Sequence, residues 1–470
     1  LGYGRIKIYT SEETITAENV TRVLFDALRT HQTNRSEIQR LWEYYRGKTD
    51  ILGKTKEVRE NINHKVCENR AYEIVSFHKG YAFGEPIQYT RRENTQSESD
   101  PDDALAADIN ALNGYMADAD KAACDIDLAE WLYVAGTCYR LTLLNSEWTE
   151  DGDEPIFDIS SLDPRYTFVV YHAGIKKKPV MGVHYVKRED GTTVYCIYTP
   201  NHYYEITELG SMLANKPHAL GMIPIIEYPA NNPMLGVFEV VMSQLDSLNE
   251  LQSNRMDDIV QFVNSFLAIL GGQLDEETYQ KLEEWKTLCL PEGVDAKYLS
   301  PAMTQADVQT LKNDFLQAIL EICAMPNRNG GSSTSDTGAA VILRDGWEAA
   351  EAYAKATETI FKKSEKRHLR LCLRILRDTV GTKLKLTDIE THFTRRNYEN
   401  IASKSQVLIA MLNSQKIHPE LAFAHCGMFA DAESAYLQSK QWWEEQEKKE
   451  AEEMEQYVRS MSHESVPNRG

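Results

Sequence analysis

The sequence predicts an α+β chain, predominantly helical and divided among several domains. Three observations predict it. Apolar residues recur at three- and four-residue steps through most of the chain. One stretch, 139–228, is instead rich in β-branched and aromatic runs. The chain has 470 residues, too many for one compact core, so two to four domains are expected. With 42% apolar and 26% charged residues, the composition is ordinary for a globular protein and excludes a wholly disordered chain.

A helix is predicted over 17–46, where Val20, Val23, Leu24, Ala27 and Leu28 share a face continued by Leu41, Trp42 and Tyr45. Thr16 suits its N-cap and Gly47 its stop. A second helix over 62–79 rests on Ile62, Val66, Tyr72, Val75 and Lys79, and residues 80–89 read as a turn into a short strand. Residues 93–103 have no apolar side chain and predict a loop. From 97 to 130 there are ten acids and one base, read as a solvated helical face rather than a cation- or protein-docking surface. Helices follow over 104–116 and 120–135, stopped by Gly136, and Cys138–Leu144 reads as a strand.

Within the β-rich stretch, Tyr166–Tyr171, Met181–Lys187 and Thr193–Tyr198 are strands, and Asp190-Gly191 marks a hairpin turn. After Pro233 the pattern changes. Val237, Val241, Leu245, Leu248, Leu251, Ile259 and Val263 predict a helix over 236–266, roughly 45 Å long. A small module, 267–303, follows: a strand Phe266–Leu270, a Gly271-Gly272 turn, a helix Glu276–Lys286 and two strands ending at Pro291 and Pro301. Val308, Leu311, Phe315, Ile319 and Ile322 line a helix over 305–325, ended by Pro326. Residues 327–338, NRNGGSSTSDTG, are small, polar and glycine-rich, the pattern of a flexible loop. A second very long helix is predicted over 339–380, with a kink at Gly346 and a stop at Gly381. A strand around Glu390–Thr394 precedes helices over 399–413, 418–426 and 431–460.

Long helices gain little from propensity alone and need neighbours along most of their length. One chain offers few such neighbours. The inference is that copies of the chain pack side by side, as in a ring.

Charge narrows the function. Fifty-one basic against 71 acidic residues give −20, which opposes generic DNA binding but not a conduit that DNA passes without sticking. No apolar run reaches the ~18–20 residues of a membrane helix, and no secretory signal follows Leu1, whose place at the start suggests trimming or an incomplete N-terminus. Eight cysteines, at 67, 124, 138, 196, 289, 323, 372 and 426, form no CxxC pair and read as small core residues of a reducing compartment.

Chemical motifs are thin. Gly47-Lys48-Thr49 and Gly53-Lys54-Thr55 resemble the end of a phosphate loop, but the earlier glycine is replaced by Trp42 and Lys48, so nucleotide hydrolysis is not expected. His64-x-x-Cys67 and His425-Cys426 lack a second pair at zinc spacing and read as packing residues. Asp246, Asp257 and Asp258 are placed on a solvated or inter-subunit helix face. No cofactor or metal is expected. Lys363, Arg367, Arg370, Arg374 and Arg377 step by four and three along one helix face, whereas Phe361, Leu369, Leu373, Leu376 and Val380 lie on faces that can pack. This basic row is read as pairing with an acidic surface of the same or a neighbouring subunit, such as 444–455, in preference to DNA.

Four segments, in order, resemble the portal (head–tail connector) proteins of tailed bacteriophages, the type of siphophages of Gram-positive hosts. They are Tyr44-Tyr45-Arg46-Gly47 with Asn61-Ile62-Asn63 and 80–87; 221–228 leading into a helix with Asp246, Asn249 and Ser253-Asn254; Thr337-Gly338-Ala339-Ala340; and 393–397, FTRRN. The resemblance covers about 40–440. It implies a portal-type protomer, α+β and predominantly helical, in a ring of about twelve copies around a channel. By analogy, 1–235 is the β-containing wing, joined by 339–398; 236–266 and 304–326 are stem helices; 267–303 is a small α/β clip; 327–338 is the tunnel loop; and 399–470 is a helical crown. The tunnel-loop residues Asn327, Arg328, Asn329, Ser332, Ser333, Thr334 and Ser335 would line the DNA channel, and the clip residues Glu276, Glu277, Lys281, Glu284, Lys286 and Lys297 would dock the motor and adaptors.

Implied partners are further copies of the chain, viral double-stranded DNA, the terminase large subunit, head-completion or adaptor proteins, and the major capsid and scaffolding proteins, with no membrane. The implied location is the portal vertex of the virion, and the host cytoplasm during assembly. Where related chains often read Ser-Gly-x-Ala, this one has Thr337-Gly338-Ala339-Ala340, and its loop carries only Arg328 and Asp336 as charges, which suggests weak, sliding contact with DNA. The competing readings are a monomeric minor head or scaffold protein acting through its acidic C-terminal helices, and a carboxylate–metal enzyme acting on nucleic acid.

Overall fold

A computed structural model describes residues 4–57, 60–92, 103–263, 266–270, 295–299, 305–327, 346–395, 401–414, 416–426, 428–429 and 432–464. Helix α1 (Val20–Tyr45) buries the predicted face, extended through Ile38, Leu41 and Tyr45. It starts later than predicted. A turn precedes it, in which the Thr16 carbonyl accepts from the Asn19 and Val20 N–H groups, and Thr16 gives no side-chain cap. Gly47, at φ +89°, ends it through a bond to the Tyr44 carbonyl. The second helix, α2, spans only Arg70–Phe83, capped by the Asn69 side chain on the Tyr72 N–H. The residues before it run extended, for a reason given below. Strand β2 (Gln88–Arg91), α3 (Asp103–Asp118) and α4 (Lys121–Ala135) follow, and Gly136 at φ +74° ends α4.

β-structure fills the predicted stretch. A six-stranded sheet runs β1 (Ile8–Thr10), β5 (Thr167–His172), β6 (Pro179–Lys187), β7 (Thr193–Tyr198), β8 (His202–Thr207), β9 (Met212–Pro217). Its strands are antiparallel except that β1 joins β5 in parallel. The β6–β7 turn uses Asp190-Gly191, with glycine at φ +86°. Residues Val23, Leu24 and Leu28 of α1 pack on Phe168, Val170 and Val183 of this sheet. A second sheet, β10 (Ile225–Pro229), β3 (Thr137–Leu144) and β4 (Phe157–Leu162), joins a larger core with α2, α4 and the later helices.

The long rods differ from one another. Residues 239–241 form a tight turn, and α5 covers Met242–Val263. The predicted helix is shorter at its start because Glu239 folds that turn around itself, accepting from the Gly236 and Gly4 N–H groups and pairing with buried Arg5 at 2.6 Å. The first half of α5 is core (Met242, Leu245 and Leu248 buried), whereas Ile259 further along is exposed. Helix α6 (Gln305–Ile322) is barer: of its predicted apolar face only Ile319 is buried, Val308 and Phe315 are half-buried, and Leu311 and Ile322 are 46% and 52% exposed.

The long helix α7 (Trp347–Thr379) is not solitary. Ala350, Ala354, Phe361, Leu369, Leu373 and Leu376 bury it against its own chain, which corrects the expectation that all the rods need outside shelter. Gly346, at φ +81°, caps its start and is no kink. Residues 339–345 lie outside the described residues. Gly381 is the stop, and β13 (Ile389–His392) pairs with β2. Strands β11 (Phe266–Leu270) and β12 (Asp295–Leu299) pair antiparallel, and the helix predicted between them lies outside the described residues. Helices α8 (Ile401–Asn413), α9 (Pro419–Cys426) and α10 (Ala432–Glu464) complete the chain.

Candidate functional surfaces

Asn249, Ser253 and Asp257 are four residues apart and stack on one face of α5, all buried. An extended segment, 63–69, is strapped along that face. Its alternate N–H groups donate to them: Glu68 to Asn249 Oδ1 at 2.8 Å, Val66 to the Ser253 hydroxyl at 2.9 Å, His64 to Asp257 Oδ1 at 2.8 Å. Two extended residues advance about 6.6 Å and four helical residues about 6.0 Å, so the two periods nearly match. This bonding holds residues 63–69 extended and delays α2 to Arg70.

Asp257 is 1% exposed, not on a solvated or inter-subunit face as predicted. Lys56 and Lys54 reach its other oxygen at 2.5 and 3.4 Å, and the His64 ring lies 2.8 Å away. Burial raises the Asp257 carboxyl, but the His64 N–H and ring and the two lysines outweigh it and hold the group far below its ordinary range. Asp246, half-buried, accepts from the Tyr44 hydroxyl at 2.8 Å, and burial pushes its carboxyl up. Asp258 is exposed.

A second polar cluster was not foreseen. Arg140 of β3 is wholly buried, pairs with Asp125 of α4, and meets Glu365 of α7 at 3.0 Å. Lys121 bridges the same two carboxylates at 2.6 and 3.1 Å. Tyr89 and Tyr228 donate to Glu365 at 2.6 and 2.9 Å. Two cations against two anions leave the cluster neutral. Burial raises the Glu365 carboxyl, yet Lys121 and Arg140 hold it well below the ordinary range. Beside it, burial and Arg140 hold the His368 imidazole well below its ordinary value. The cluster locks α4, β3, β10, β2 and α7 together. A charge inside an apolar strand (Arg140) and another on an apolar helix face (Glu365) were its only signals in the sequence. Asp125 also belongs to the acidic stretch read as solvated, and it is buried.

The motif residues serve the fold. Lys48 pairs with Glu43 at 2.9 Å, and Lys54 holds Asn254 at 2.7 Å. His64 turns to Asp257 while the Cys67 thiol bonds the Gly47 carbonyl at 3.4 Å, so this pair does not converge. Among the described residues no group of three His, Cys, Asp or Glu could hold a metal, and no helix is long and apolar enough to cross a membrane.

The basic row lies on the outer side of α7. Lys363, Arg370, Arg374 and Arg377 are exposed and Arg367 is half-buried. Arg367 lies beside the Tyr171 hydroxyl, and Arg374 covers Gly221, where a Cβ would sit 2.1 Å from its guanidinium. Among the described residues none of the five has an ion pair within the chain, which removes the intrachain form of the predicted pairing. Like-charged pairs at three- and four-residue steps cost a helix about 0.2–0.5 kcal/mol each. Of the predicted channel residues, Asn327 lies just past α6, and Arg328, Asn329, Ser332, Ser333, Thr334 and Ser335 fall outside the described residues. Lys297 is on β12 opposite Ala268, while Glu276, Glu277, Lys281, Glu284 and Lys286 also fall outside.

The family described as phage portal protein, SPP1 Gp6-like, matches residues 26–456. Among solved structures, the chain is similar to one from the neck of a native GTA particle computed with C12 symmetry (TM-score 0.44, 14% identity, 76% of this chain and 89% of that one). Another is from the neck of an empty GTA particle computed with C6 symmetry (TM-score 0.39, 13% identity, 74% and 86%). No curated protein matches the chain.

Proposed function

The chain belongs to the SPP1 Gp6-like phage portal family, and from that membership we propose a ring of copies around an axial channel at one capsid vertex, through which phage DNA is packaged and later released. The match over residues 26–456 carries this reading. Its physical support is α6, where Leu311 and Ile322 are apolar side chains that one chain leaves exposed. The ring has about twelve copies. The net charge of −20 keeps DNA from adhering, and short polar side chains make brief contacts with phosphates.

In this reading, residues 1–235 with 339–398 form the wing, α5 and α6 the stem, 267–303 the clip, 327–338 the tunnel loop and 399–470 the crown. The clip residues dock the terminase large subunit and later the head-completion or adaptor proteins, and the wing meets capsid and scaffolding proteins. The basic row lies between subunits. ATP hydrolysis belongs to the separate motor, and the chain itself performs no catalysis. Assembly takes place in the host cytoplasm. Heads assembled without this chain should contain no DNA and carry no tails, and supplying the chain during assembly should restore both. Heads that fill normally in its absence would remove the assignment.

A further inference from the structure

Among the described residues, Lys363, Arg370 and Arg377 of α7 and Glu447, Glu450 and Glu453 of α10 make no ion pair within the chain. Lys363, Arg370 and Arg377 are exposed and seven residues apart, so they lie on one line along α7 with about 10.5 Å between neighbours. Arg367 and Arg374 between them lie against Tyr171 and over Gly221. The row repels itself, and an acidic counter-surface relieves that repulsion. On α10, Tyr436 and Trp443 lean on Phe423 of α9, with ring centroids 5.9 and 6.3 Å apart. Past Trp443 the side chains through Met454 are exposed apart from half-buried Gln446. At 100° per residue, Glu447, Glu450 and Met454 share a face, with Glu453 at its border and Lys448 and Lys449 well away from its centre. Residues 444–464 extend about 30 Å, and in proteins most of a helix's stability comes from packing rather than propensity.

We propose that the Glu447–Glu450–Glu453 face of α10 in one copy docks on the Lys363–Arg370–Arg377 row of the adjacent copy. This rests on the ring reading. A head-to-tail ring needs two different, complementary surfaces on each copy, and these two have opposite sign. Phosphate would suit the row equally by charge, but copies that each carry −20 repel one another, and this contact makes their approach attractive where it counts.

Two variants test it. One carries Lys363→Glu, Arg370→Glu and Arg377→Glu; the other carries Glu447→Lys, Glu450→Lys and Glu453→Lys. All six positions are exposed, so both should fold, checked by circular dichroism. Native mass spectrometry and negative-stain imaging then give the fraction of subunits in rings, with the parent chain as control. At about 0.15 M salt each variant alone should show about a tenfold lower fraction than the parent. Mixing the two should restore rings, because every interface can then pair opposite charges. A parent that forms no rings would overturn the ring reading itself. Rings from the parent and from both variants would overturn the docking alone, as would a loss that mixing does not restore. Intact rings that retain less DNA when the α7 row is reversed would assign the row to phosphate and overturn it too.

Discussion

Asp257 sits 1% exposed among Lys54, Lys56 and His64, and its carboxyl is held below the ordinary aspartate range. A depressed carboxyl contributes stability above its unfolded value near pH 4 and loses that contribution as the pH falls toward its folded value. Asp257→Asn should therefore destabilise the protein by about 1–3 kcal/mol at pH 7. In urea unfolding the gap should narrow between about pH 5 and pH 3, and a gap independent of pH would contradict the assignment. Glu365 answers two buried cations, so Glu365→Ala leaves an uncompensated charge and should cost about 3–5 kcal/mol. A loss below about 1 kcal/mol would show that the network relaxes. Neither role was legible beforehand. Asp257 reads as solvated or inter-subunit because its partners lie some two hundred residues away in sequence, and a helical period shows which residues share a face but not what covers that face.

Helix boundaries and strand positions were largely legible where local chemistry decides them: Gly47, Gly136 and Gly381 stop helices, and Asp190-Gly191 turns a hairpin. They failed where a distant element intervenes. Periodicity extended α2 back to residue 62, but side chains of α5 capture the N–H groups of 64, 66 and 68. Gly346 read as a kink, yet its left-handed backbone belongs at a helix boundary. The exposed apolar residues of α6 give a prediction at this scale. Leu311→Ser with Ile322→Ser should change protomer stability by no more than about 0.5 kcal/mol while abolishing ring formation, read by denaturant unfolding and native mass spectrometry. A large stability loss with rings retained would place these residues in a protomer core. Deleting 328–337 should leave folding and assembly intact but impair DNA packaging or retention, and normal packaging would remove the role proposed for that loop. Disrupting 273–300 should abolish binding to the motor while the chain stays soluble, and unchanged binding would show the docking surface to be elsewhere.

For the whole molecule, order of elements conveyed more than any motif. The α+β class, the β-rich middle and the portal family were legible because they depend on patterns spread over hundreds of residues, and the family match over 26–456 bears out the last. The long helices are not all solitary: α7 and the first half of α5 are sheltered within the chain, whereas α6, the far part of α5 and the far part of α10 carry exposed apolar side chains. Their exposed apolar side chains are what identical copies around an axis would cover. Imaging the purified protein down its particle axis tests this most directly. The account predicts closed rings of about a dozen subunits with an open centre and α6 facing the next copy; a stable monomer with no ring-shaped particles would contradict it.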